Sequence, residues 1–507
     1  MILDISAKEY FAKLDGDRSS TLDRAEKMAK VTIPYLFMEE GTSGQDDLTT
    51  GYTQGFGAKL VNHLTGKFAL SILPPSQSFY RLSAGNEAME KVTGGDRKYE
   101  QEVEKILAQT EDGIMRYINN TRFRKSLYPA LRLAMVTGEC IVEKVEDNVY
   151  KIHNLRKYVI KRDSSGNILH LVIKELLDVD ALPDGIDIEE ENEDQEVELY
   201  THFYLEDGVY NMYQEVEGNK FNEGTLKKFT DKFINVRWNV VDGEDYARSF
   251  CEEHYETFVN LEKQMKVLVS NAIVSSKTVF TVNPNGMTRL KDYVDAKNGD
   301  AIVGNETDIG TVKVNKHIDL QSTYQLVTDL KRELAETFLM SSAGIRNAER
   351  VTAQEVQLVA SELEASFGGI YTAIASDIQM PLVENAISSL KIEGMEDIDI
   401  IITSGVEALG RTVEQQKVRN MIQDLGGLAQ LIGVESIVQN LNPEALISSI
   451  INNSGVGNKN FMKDLVTKEA EAKAQQEQQL AQQALQPALQ EAGKGMGQQL
   501  TQQGGME

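Results

Sequence analysis

The chain has 507 residues, with 78 acidic against 52 basic side chains and a formal charge of −26. That length exceeds what one hydrophobic core usually organises, so two or three domains are expected. The charge excludes a chain that adheres as a whole to nucleic acid or to an anionic membrane.

The first residues, MILDISAKEYFAKLD, carry charges at Asp4, Lys8 and Glu9 and lack the apolar core of an export signal. The best apolar stretch nearby, Phe68 to Pro75, falls far short of the ~20 residues needed to span a bilayer. Residues 20 to 40 read as a helix ending near Pro34, and Gly55 to Leu73 as a second that stops at Pro74 and Pro75. Lys98 to Thr137 is again helical. Cys140 to Lys161 and Ile168 to Leu177 alternate as strands, with Asp163-Ser164-Ser165-Gly166 as a turn.

Asp187 to Glu198 holds eight acidic residues and no basic one, before a strand at Leu199 to Tyr204. A solvated hairpin tip accounts for such a run better than a metal site, because no histidine or EF-hand spacing accompanies it. Ser249 and Glu252 form a predicted capping box. After it, Cys251, Tyr255, Phe258, Leu261, Met265, Leu268 and Ala272 share one stripe of a long helix. A returning helix after Asp319 aligns Tyr324, Val327, Leu330, Leu334 and Phe338. Between the two, Lys277 to Ile318 reads as a compact insert. It has a strand at Thr278 to Val282, a turn at Asn283 to Gly286, a short helical piece, and strands near Ile302 and Thr311 to Val314. A stalk with a tip results.

Next comes the loop SSAGIRNAERV, in which Gly344 gives backbone freedom beside Arg346, Asn347 and Arg350. It leads into an amphipathic helix with a Thr352/Glu355 capping box and apolar residues from Val356 to Ile378. Thr352 to Met380 would span about 43 Å unless Gly368 and Gly369 bend it. Ile398 to Thr403 reads as a buried strand, and Arg411 to Lys468 as several short helices. From Glu469 the chain turns to Ala/Gln-rich low complexity and a glycine-rich end.

Little of this points to catalysis. Gly66-Lys67 precedes Phe68, with Val61 where a phosphate loop needs its first glycine. H-E-x-x-H and G-x-S-x-G are absent from the sequence, and His254 on an amphipathic helix reads as exposed or pocket-filling. Cys140 and Cys251 stand far apart without a C-x-x-C pair, so free thiols in a reducing compartment are expected, with no structural zinc. Gly113 to Gly138 has no acid and carries Arg116, Arg122, Arg124, Lys125 and Arg132 among Tyr117, Phe123 and Tyr128. It is a secondary candidate for nucleic acid, against the alternative of pairing within the chain or with a neighbouring copy.

Three stretches together resemble the portal, or head-to-tail connector, proteins of T7-like short-tailed bacteriophages. The first runs from Arg24-Ala25 through Thr32, Pro34-Tyr35-Leu36, Gly57-Ala58, Val61-Asn62, Lys67 and Leu73-Pro74-Pro75 to Phe79 and Leu82. The second is Ala348 to Ala353 with Val359 to Glu364, Gly368-Gly369 and Pro381-Leu382-Val383, and the third is Ser404 to Arg411. The Ala/Gln-rich end lies outside the resemblance.

The resemblance implies an α+β, mainly α, portal fold that forms a ring, usually of twelve subunits, at one capsid vertex. It assigns residues 1–248 to the wing, 249–276 and 319–340 to stem helices and 277–318 to the clip. Residues 341–351 become the channel loop, 352–410 a long bent helix with a returning wing strand, 411–468 the crown and 469–507 a C-terminal tail. The implied partners are further copies of the chain, the terminase large subunit, a tail adaptor, capsid, scaffolding and internal core proteins, and double-stranded DNA passing without sequence preference. The implied location is the virion, after assembly in the host cytoplasm, with no cofactor, no enzymatic role and no membrane. On this reading an acidic channel wall lets DNA slide where a basic one would hold it. Arg346 and Arg350 either touch the duplex or pair with Glu349 or a neighbour's Glu355. A tail adaptor, an internal core protein, or a metal-dependent enzyme using the acidic run are the competing readings.

Overall fold

The computed structural model describes residues 5–38, 54–75, 78–85, 89–90, 94, 97–146, 149–178, 196–276, 279–312, 317–340, 353–392 and 398–402. Two compact units emerge: residues 1–81, 114–393 and 402–409 form one, and 82–113, 394–401 and 410–507 the other. Helix and strand are mixed, with helix predominating among the described residues.

The first unit opens with α1 (Ala7–Asp17), which Ser6 caps by accepting from the Glu9 amide at 3.1 Å. Then come α2 (Ser19–Val31) and α3 (Phe56–Ile72). Strand β1 (Tyr80–Ala84) and helix α4 (Arg97–Asn120) come next in the chain. Helix α5 (Phe123–Thr137) begins after a break at Thr121 and Arg122, so the helical stretch predicted over 98–137 is two helices. Gly138 ends α5 with φ +104, and a Cβ there would stand 2.1 Å from the Ala247 carbonyl oxygen. Only glycine fits that corner.

Strands β2 (Glu139–Glu146) and β3 (Val149–His153) follow, then β4 (Tyr158–Arg162), β5 (Ile168–Asp178), β6 (Glu196–Glu206), β7 (Val209–Val216), β8 (Asn219–Leu226) and β9 (Phe233–Arg237). β4 to β8 make a five-stranded antiparallel sheet in sequential order, and β3-β2-β9 a three-stranded one. The Asp163 turn predicted between β4 and β5 is present, its carboxylate accepting from the Ser165 and Asn167 amides. Amphipathic α1 lays Tyr10, Phe11 and Leu14 on Val159, Val172, Tyr200 and Tyr213 of the larger sheet. At the end of α1, Arg18 donates to the Leu155 and Tyr158 carbonyls.

The stalk begins with α6 (Phe250–Glu253) and α7 (Tyr255–Ser276), separated at His254. The capping box predicted for Ser249 is not formed, because its hydroxyl donates instead to the Met135 carbonyl at 2.9 Å, anchoring the stalk to α5. β10 (Val279–Val282), α8 (Leu290–Asp295) and β11 (Ile309–Val312) build the insert, with β10 and β11 antiparallel. Asp308 holds it together by accepting from the Thr288 amide and hydroxyl, both at 3.1 Å. The strand predicted near Ile302 is absent: 301–304 is irregular and pairs with neither strand. Helix α9 (His317–Thr337) returns antiparallel to α7, since Phe258 near the start of α7 meets Phe338 just past the end of α9.

Helices α10 (Ala353–Phe367) and α11 (Gly369–Leu390) are split at Gly368, whose φ of +51 breaks the ladder rather than bending it. α11 then runs through Pro381 to Leu390, beyond the predicted end. Proline forfeits one backbone bond, and burial of Ile378, Leu382, Val383 and Ala386 offsets the loss. Phe68, Trp238, Phe250, Phe338, Phe367 and Tyr371 form one ring cluster where α3, β9, the stalk, α10 and α11 converge.

In the second unit, the Leu82 amide donates to Glu111 at 2.7 Å, and β12 (Ile398–Ile402) pairs with β1. β12 is half-exposed rather than buried, with Ile401 39% exposed, since among the described residues it has one neighbour strand. The regions 411–468 and 469–507 lie outside the described residues.

Candidate channel loop and its anchorage

The four loop residues singled out by sequence, Gly344, Arg346, Asn347 and Arg350, and the capping residue Thr352 lie outside the described residues. Both flanks are described. α9 ends in a Schellman motif: the Leu339 amide donates to Glu336 O at 3.0 Å and the Met340 amide to Ala335 O at 2.7 Å. The residue at the turn is Leu339, with φ +54 where glycine is usual. A side chain there costs about 1–2 kcal/mol.

The Leu339 carbonyl turns back onto α3. Lys67 Nζ donates to it at 2.9 Å and also meets Glu362 Oε2 of α10 at 2.7 Å. The Lys67 side chain is 1% exposed. His63, one turn earlier on α3, places Nε2 3.2 Å from the same carbonyl. Burial holds the His63 imidazole below its ordinary pKa, aided by the nearby Lys67 charge. α3 thus holds both the end of α9 and helix α10, on either side of residues 341–352.

Sequence reading missed this group. One signal was present: Lys67 falls on the apolar stripe of α3 with Leu60, Leu64 and Phe68, and a buried ammonium needs partners. No spacing rule names partners 272 and 295 residues away.

The basic stretch divides. Arg124 donates to the Leu73 and Pro74 carbonyls, capping the end of α3, and burial lowers its pKa. Arg132 lies over the rings of Tyr35 and Tyr128 and donates to the Tyr35 hydroxyl at 3.1 Å. Arg116, Arg122 and Lys125 are exposed, as is much of the Arg124 side chain, which differs in the carbonyls it holds. Lysine and arginine side chains that sequence grouped together therefore have different work, two of them structural.

Of the acidic run, residues 187–195 lie outside the described set, and they connect the paired strands β5 and β6. Glu198 meets Lys174 at 2.6 Å and accepts from the Tyr200 hydroxyl at 2.8 Å, which holds its carboxyl below the usual range. Among the described residues there is no cluster of three or more groups that could hold a metal. None of their helices is long and apolar enough to cross a membrane. Cys140 and Cys251 are free and buried, and burial raises both thiols, Cys251 to about 12. His254 is half-buried against Phe250 and Phe338, and burial lowers its pKa.

The family model described as bacteriophage head to tail connecting protein matches residues 5–462. The portal protein of Enterobacteria phage T3 is 32% identical over 447 residues, 84% of this chain and 83% of its own. That of Escherichia phage T7 is 31% identical over the same length and shares. Among solved structures, a chain from the neck of an empty gene transfer agent particle aligns with 78% of this chain and 90% of its own, at 10% identity and a TM-score of 0.35.

Proposed function

We propose a function from one premise: the chain belongs to the bacteriophage head to tail connecting protein family. It is a portal protein, a virion component that joins the head to the tail and forms the channel through which double-stranded DNA enters and leaves. The observation that carries this reading is the match over residues 5–462, which includes the long helices and the insert alike.

The finer reading is a ring, usually of twelve copies, with α7 and α9 as stem, the insert as clip and residues 341–351 as channel loop. Exposed apolar side chains support self-assembly. Val267, Ile273 and Tyr324 on the stem, and Met287, Val294 and Val303 in the insert, are between 45% and 80% exposed. Such surface is what a neighbouring copy would cover. The charge of −26 suits a conduit, since each phosphate neutralised by a basic wall would add to affinity and hinder sliding. The terminase would engage the clip during packaging and a tail adaptor afterwards.

Averaged electron micrographs of the purified protein test the reading. A ring with a central hole wide enough for a duplex is the expected image, and a compact monomer would sink it.

A further inference from the structure

His170 of β5 and His202 of β6 stand side by side on the face of the sheet that α1 covers. His170 Nδ1 lies 3.2 Å from His202 Nε2, and His202 Nδ1 lies 3.0 Å from the Tyr213 hydroxyl of β7. Two ring nitrogens facing at that distance share one hydrogen, so that one donates and the other accepts. When both rings are protonated, each nitrogen carries a hydrogen and neither accepts. The contact then sets N–H against N–H and charge against like charge. Tyr10 of α1 closes the pair from water: its ring centroid is 5.0 Å from that of His170 and 5.4 Å from that of His202, which is 5% exposed. Beside them stand Tyr204 of β6, Tyr213 of β7 and Lys220 of β8, whose ammonium lies over the Tyr213 ring at 4.5 Å. The acids further along this face are already engaged, Glu198 by Lys174 and Tyr200, and Glu215 by the Ala7 amide at 2.8 Å. Among the described residues neither imidazole has a carboxylate as partner. A charged imidazole in that place is therefore uncompensated, and burial lowers the pKa of both rings.

We propose that the His170–His202 pair is an acid-operated latch for α1: proton uptake opens the pair to water and lifts the Ala7–Leu14 part of the helix from the sheet, with Arg18 as the pivot. The strands beneath are tied to one another by ladder bonds, from β4 through β8. α1 has 11 residues, too few for a helix to persist alone in water, and its apolar side chains on the sheet are what keep it down. It is the cover that yields first. Arg18 donates to the Leu155 and Tyr158 carbonyls through a guanidinium that stays charged throughout, so the end of α1 remains attached. The latch stands apart from the portal reading.

Amide hydrogen exchange of the full chain at pH 7 and pH 5, corrected for the intrinsic exchange rate at each pH, tests the latch. An imidazole that ionises only in the open form raises the open population about 25-fold over that interval. Protection of the α1 amides from Tyr10 to Leu14 should therefore fall about tenfold or more, while the α3 amides from Leu60 to Phe68 keep theirs. In His202→Gln, which keeps a donor and an acceptor but takes up no proton, the fall in α1 should shrink to a few-fold. Should that variant fail to fold, His170→Gln gives the same comparison from the less buried ring. An α1 whose protection holds at pH 5, an equal fall in α1 and α3, or a fall in the variant as large as the wild type's would each overturn the proposal. The portal reading is decided separately by the micrographs.

Discussion

Ser71 Oγ and Tyr371 OH lie 2.5 Å apart, joining α3 to α11 across 300 residues of sequence. Tyr371 is fully buried and stacks its ring edge on Phe68. Tyr371→Phe leaves the Ser71 hydroxyl buried without this partner. The expected loss is about 1–3 kcal/mol, read as a lower denaturation midpoint with an unchanged slope. Ser71→Ala combined with Tyr371→Phe should cost less than the sum of the two single changes.

Gly138→Ala should be far more damaging. The new methyl would meet the Ala247 carbonyl at 2.1 Å, on a backbone with φ +104. Neither contact can relax without moving the corner between α5 and β2. A cost of about 3 kcal/mol or more is expected, visible as lost soluble yield or a large fall in Tm. Gly16→Ala, where nothing stands within 4 Å, is the control.

Stability should fall as pH drops from neutral. His202 is pressed between His170, 3.2 Å away, and the Tyr213 hydroxyl at 3.0 Å, with Tyr10 and Tyr204 against its ring and Lys220 nearby. Burial, aided by His170 and Lys220, lowers its pKa to about 3. The unfolded chain therefore binds the extra proton first. His202 contributes its full stabilisation above the unfolded value near 6.5, and loses it as pH falls toward 3. Between pH 7 and 5 the loss from this residue is about 2 kcal/mol. Burial shifts His170 in the same direction. In denaturation curves at several pH values, His202→Gln should flatten the slope in that window.

The basic stretch should separate by mutation. Arg124→Ala removes donors from the Leu73 and Pro74 carbonyls, and a loss of about 1–2 kcal/mol is expected. Arg122→Ala and Lys125→Ala, equally exposed but without those carbonyl contacts, should stay within about 0.5 kcal/mol of wild type. Thermal melts of the three variants read the difference directly.

Arg346→Ala with Arg350→Ala addresses the loop cations. If they contact the duplex, rings should still form while particles package or retain less DNA. Unchanged packaging and retention would leave them as ion-pair partners.

Periodicity and proline were enough to place α2 and α3, because each helix carries its own boundary signals. Apolar periodicity likewise placed the long helices α7 and α9, though the Ser249 capping box and the strand near Ile302 did not form. What sequence could not reveal was which competing partner a side chain takes. Ser249 has a capping role open to it locally, yet it bonds Met135. Pro381 should end a helix on local grounds, and buried neighbours carry the helix past it. Lys67 has a solitary place on an apolar stripe, and its partners are set by tertiary packing. In each case a distant contact outweighs a preference of several residues' reach.

The partners gathered by α3 also impose an order on synthesis. His63, Lys67, Phe68 and Ser71 reach residues 339, 362, 367 and 371. A ribosome that has finished α3 must therefore make nearly three hundred more residues before the helix finds those contacts. Such long-range closure is slow, and until then the face of α3 that carries Phe68 and Ser71 lacks these partners. A chain released early has no substitute for them. Products released before residue 371 are thus barred from completing this part of the body.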